Sequence, residues 1–137
     1  HPGRGGSWGP LLIGAYGAGL VGAGLFPADP AEGFPPGTPD GPPATVSGHG
    51  LVHLTFASLG FVALIVACLV LARRFRTAAR PGWRRYSLVT GGLMVVTQIA
   101  LVAAPGAAVT AAYVLAALHA SGWVSAVAAM IRSGGAR

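Results

Sequence analysis

Two histidines, His49 and His53, stand four residues apart in the stretch SGHGLVH. On a helix that spacing puts both imidazoles on one face, where they could share a metal ion. The three carboxylates of the chain, Asp29, Glu32 and Asp40, all lie in the proline-rich segment just before them. Any of the three could fold over as a further ligand. Asp29 follows the first apolar run most closely, which makes it the expected hydrogen-bond or ionic partner of the pair. A zinc hydrolase of the H-E-x-x-H kind needs a general-base Glu directly after its first histidine. Gly50 stands there, so that chemistry is excluded. Two imidazoles without a fixed third ligand are equally the polar tips of a helix start, and no cofactor is predicted.

Two further constellations carry chemistry. His119 lies inside an apolar run, where an ionisable group marks a functional position unless a neighbour satisfies it. Gln98, on the preceding run, is the expected partner, with proton relay or haem ligation as the alternatives. Arg73, Arg74, Arg76, Arg80, Arg84 and Arg85 crowd one short segment, in a chain whose nine basic residues are all Arg. They are expected to contact anionic lipid headgroups, at about 1 kcal/mol for each basic residue near the surface. Cys68 is the single cysteine and sits in an apolar run, where a thiol is inert packing.

The elements that must position these residues follow from composition. Hydrophobic residues make up 53% of the chain and charged residues 9%, against about 25% charged in soluble domains. A spanning helix needs roughly 20 mostly apolar residues. Four segments come close, at 10–26, 51–72, 86–104 and 108–131. Lipid offers no partner for backbone amides, so these runs are helices. The expected fold is all-α, a polytopic transmembrane helix bundle with four visible spans in a single domain.

Alternation of four spans puts Arg4, the arginine-rich loop 73–85, Arg132 and Arg137 on one side. The positive-inside rule makes that side cytoplasmic. The proline-rich loop 27–48 then lies outside, and Trp8, Trp83 and Tyr86 mark the inner interface. Turn chemistry such as Gly-Phe-Pro-Pro-Gly makes this loop an ordered lid, pinned by Phe26 and Phe34. In the first span Gly14, Ala18 and Gly22, and likewise Ala15, Gly19 and Ala23, form small-xxx-small rows for close helix packing. The net charge of +6 does not point to nucleic acid, because no soluble domain is left to present a basic face.

Several motifs carry a family resemblance. They are Trp8-Gly9-Pro10, the D-P-x-x-G-F-P-P-G-T-P loop at Asp29 to Pro39, and the H-G-x-x-H start at His49 to His53. The arginine-rich turn ending in W-x-x-Y-S at Trp83 to Ser87 adds to them. In these the chain resembles a bacterial membrane family known as the domain of unknown function 998. The resemblance implies six helices, of which this chain corresponds to the last four. A missing upstream helix pair, or a partner membrane subunit, is then expected beside it. It also implies the bacterial inner membrane, and no settled activity.

The functional expectation is a structural membrane component that binds partners or lipids. The alternatives are a membrane-embedded enzyme or metal-binding protein using Asp29, His49 and His53, and a small-solute transporter. Transport normally needs broken helices or charges at mid-membrane. Here the prolines sit at span ends.

Overall fold

The computed structural model describes residues 7–134, so Arg4 and Arg137 lie outside the described residues. It contains four helices: α1 (Trp8–Leu25), α2 (Gly48–Thr77), α3 (Pro81–Ala103) and α4 (Ala107–Arg132). The described residues hold no strand, only an isolated bridge between Ala31 and Phe34. All four helices are long and apolar enough to cross a membrane.

Each helix boundary has a local cause. Ser47 caps α2, its side chain accepting from the Gly50 amide, which satisfies one of the orphan donors of the first turn. Pro81 occupies the first turn of α3, where its missing N–H costs nothing. The segment 73–85, expected to be a loop, is almost entirely helical. α2 runs on through Arg73, Arg74 and Arg76 to Thr77, and α3 already begins at Pro81. At 30 residues α2 is about 45 Å long, well beyond a hydrocarbon core of about 30 Å. A helix of that length leaves room for its arginine-bearing last turns beyond such a core, and cations suit that helix end. The turn itself is a Schellman arrangement: the Arg80 amide bonds the Phe75 carbonyl and the Ala79 amide that of Arg76. Ala79 takes the left-handed conformation there, with φ 53°.

The helices run up and down in sequence order. At one end of the α1–α2 pair Gly9 faces Leu71, and at the other Gly22 faces Phe56. Between these, Gly19 and Gly60 bring the two backbones together. A Cβ on Gly19 would lie 2.6 Å from the Gly60 Cα. Gly91 of α3 packs on Cys68 of α2 in the same close manner. The core is built from Leu64, Ala67, Cys68, Met94, Ala120, Trp123 and Val127, all buried completely. An aromatic file of Tyr16, Phe61 and Tyr113 links α1, α2 and α4, with centroids 5.8 and 5.4 Å apart. Large apolar side chains such as Leu20, Leu59, Val96 and Leu118 point outward, as expected where the surrounding solvent is lipid.

Candidate functional site

The loop between α1 and α2 folds against the ends of both helices. Its backbone is bonded internally, Glu32 to Gly41, Gly33 to Pro39, and Ala31 to Phe34 in both directions. Glu32, Gly33, Gly37 and Gly41 all adopt positive φ, so the chain reverses within a short length. Phe26 anchors the start of the loop, stacked on Phe56 at 6.2 Å and meeting the His49 ring edge-on at 5.9 Å. Phe34 does not pin the loop. It is 74% exposed.

Asp29, His49 and His53 do reach one end of the molecule, at the α1–α2 junction, but they do not bond one another. The Asp29 carboxylate accepts from the Ser47 amide at 2.9 Å. Hydrogen bonds from the Ser47 side chain and amide, assisted by the nearby charge of His49, hold the Asp29 carboxyl below its ordinary value. The carboxylate lies so close to Gly50 that a Cβ there would collide with it. That explains why glycine stands inside the H-G-x-x-H motif.

His53 turns the other way. Its Nδ1 lies 2.8 Å from the Ala23 carbonyl oxygen and 2.9 Å from that of Phe26. Carbonyls only accept, so Nδ1 carries a hydrogen and donates to both. The side chain thus closes the C-terminal end of α1, where unpaired carbonyls collect. His49 stays exposed at the helix start. Among the described residues no three His, Cys, Asp or Glu side chains are grouped to hold a metal ion, so His49 and His53 have no third ligand. Above them the loop forms an open cleft of about 480 Å³, lined by Asp29, Thr38, Pro39, Pro42, Pro43 and Thr45 among others.

The expected pairing of His119 with Gln98 is replaced by another. His119 Nε2 lies 3.1 Å from Thr90 Oγ1. Gln98 is eight residues further along α3, about 12 Å away in helix rise, and out of reach. Thr90 gives its one hydroxyl hydrogen to the Tyr86 carbonyl at 2.9 Å, so His119 is the donor to Thr90. One turn away the pattern repeats: Ser87 Oγ donates to the Trp83 carbonyl and accepts from Trp123 Nε1 at 3.1 Å. Ser87, Thr90 and Trp123 are completely buried. Together they form a polar seam down the α3–α4 interface. Sequence reasoning missed Ser87, Thr90, Ser47 and the role of Trp123. The signal was present in the spacings: 87 with 90, and 119 with 123, each fall on one helix face. Ser47 stands four residues ahead of the apolar run at 51–72, where a cap one turn upstream belongs.

The arginines gather at the opposite end from Asp29, Glu32 and Asp40. Arg80 Nη1 reaches Met130 Sδ at 3.5 Å, which brings the end of α4 and Arg132 to the α2–α3 turn. Arg73, Arg74, Arg76, Arg84 and Arg85 are exposed around it, while Arg80 is half-buried.

No curated protein matches the chain, and no solved structure matches it. The family described as "Protein of unknown function (DUF998)" matches residues 1–130. With the motif-bearing loop, the H-G-x-x-H start and the arginine-rich turn all inside that match, the chain belongs to this family.

Proposed function

We propose that the protein is a multi-pass component of the bacterial cell membrane that holds lipids and partner helices rather than turning over a substrate. Its arginine-rich end is cytoplasmic and its proline-rich loop lies outside. One observation carries this reading: apart from the exposed His49, the side chains best suited to chemistry are bonded into the fold. His53 caps α1, Asp29 holds the amide of Ser47 at the start of α2, and His119 and Trp123 tie α4 to α3. What the molecule presents outward is helix surface. On α1 a second set of small residues faces away from α2, since a Cβ on Gly14, Gly17 or Gly24 would meet nothing within 4 Å. Small residues permit close approach of a further helix in lipid. That helix would come from an upstream pair or from a partner subunit.

Site-specific photocrosslinking in membranes tests this. A crosslinker at Gly17 or Gly24 is expected to give a protein adduct of discrete mass, while one at the lipid-facing Val96 of α3 gives lipid adducts alone. Lipid adducts alone from both α1 positions would end the partner-helix reading.

A further inference from the structure

The basic end of the molecule is an incomplete charge arrangement. Arg73, Arg74, Arg76, Arg80, Arg84, Arg85 and Arg132 gather there, while all three acidic residues, Asp29, Glu32 and Asp40, lie in the α1–α2 loop at the other end. For the exposed arginines topology and water are a sufficient account. Arg80 is different. It is half-buried, and its hydrogen-bond partner among the described residues is the thioether of Met130. A guanidinium has five N–H donors, and thioether sulfur is a weak acceptor. Its other donors reach the surface, where a stronger acceptor can meet them.

Its surroundings suit an anion. Arg84 lies four residues on, one turn into α3 from Arg80 at its N-cap. The first turn of α3 has no acidic residue and no side-chain cap, so the amides of Gly82 and Trp83 add donors at that point. Trp83 sits between Phe75 and Tyr86, at 5.9 and 6.3 Å, an aromatic row of the kind found at headgroup level. One turn beyond Arg84 the exposed Leu88 continues the same side of α3 as an apolar track. A soluble anion would use the charges alone. A lipid uses the charges and the track.

We propose that the α2–α3 turn seats one anionic phospholipid, its phosphate held by Arg80 and Arg84 and its acyl chains running along α3 past Leu88. Guanidinium forks match phosphate oxygens in pairs. The seat specialises the lipid-binding part of the function proposed above and rests on that reading. The two fail in distinguishable ways. A wrong membrane reading leaves the protein unable to float with liposomes, whereas a wrong seat leaves it inserted but without lipid preference.

The test is native mass spectrometry of the full chain in a mild nonionic detergent. It is offered phosphatidylglycerol or phosphatidylcholine of identical acyl chains. One phosphatidylglycerol should be retained, at least roughly tenfold more than phosphatidylcholine. Arg80→Gln removes one guanidinium fork, and Arg84→Gln removes the other. Each should lower retention about tenfold. Arg73→Gln, which removes the same charge from within α2, should change it less than about twofold. Arg84→Gln, at an exposed position, keeps the proposal exposed even if Arg80→Gln fails to fold. Three results would overturn it: equal retention of the two lipids, equal losses in Arg73→Gln and Arg80→Gln, or soluble glycerol phosphate binding as tightly as phosphatidylglycerol.

Discussion

Asp29 shows how a single residue can be placed well and paired wrongly by sequence. Its position close behind α1 and its nearness to the start of α2 are legible in the chain. Its partner is not, because hydrogen bonds turn on tenths of an ångström between backbones that the spacing does not fix. The carboxylate takes the Ser47 amide, and His53, its expected partner, takes two carbonyls of α1 instead. The Asp29 pKa is lowered by the hydrogen bonds from the Ser47 side chain and amide and by the His49 charge. A folded-state pKa below the unfolded one makes proton binding favour the opened loop. The contact is therefore fully present above the ordinary value of 3.8 and is lost as pH falls below it. Hydrogen exchange at the Ser47 amide should be slow near neutrality and accelerate, relative to a free amide, as the sample is taken below that value. Asp29→Asn should remove this acid-dependent step. Unchanged protection through the same acid range would show that the loop is held by its own turns and not by this carboxylate.

At the scale of the element, apolar content located four helices and small residues located the tight contact, but the register needed the structure. The first span offers two rows of small residues, and neither faces α2 as a whole. The buried face of α1 is Gly9, Tyr16, Gly19, Gly22 and Ala23, drawn from both rows, while Gly14 faces outward. Helical periodicity of 3.6 makes a contact stripe drift between rows spaced by four, so a sequence rule built on four-residue steps splits the true face. The seam of α3 and α4 has the same origin. Thr90, not Gln98, meets His119 because antiparallel register is set by the length of the turn between the helices, which hydropathy blurs by several residues. A pair of substitutions tests the α1 register. Gly19→Ala forces a methyl against the Gly60 backbone and should cost about 1–3 kcal/mol. Gly14→Ala meets open space and should be neutral or stabilising by up to about 1 kcal/mol. Thermal unfolding in detergent separates them, and equal costs would place α2 on the wrong face of α1.

Across the whole molecule charge and hydropathy act together. Apolar faces turn outward along the helices, and the two ends differ in sign. Asp29, Glu32 and Asp40 lie in the loop at one end, and the arginines ring the α2–α3 turn at the other. This segregation was legible in the sequence because it depends only on the order of charges and spans, not on side-chain geometry. Translocation across a membrane disfavours Arg-rich segments and tolerates acidic ones, so the polarity of the molecule predicts its orientation. Single cysteines report it directly. Thr45 lies exposed on the proline-rich side and Thr77 exposed on the arginine side. The native Cys68 is fully buried and should contribute little background. In intact bacteria an impermeant maleimide should label Thr45→Cys and spare Thr77→Cys, and both should react once the membrane is opened. Labelling of Thr77→Cys in intact cells would reverse the orientation and carry the arginine seat to the outer leaflet. Equal labelling of both would mean that the four helices do not cross the membrane in alternation.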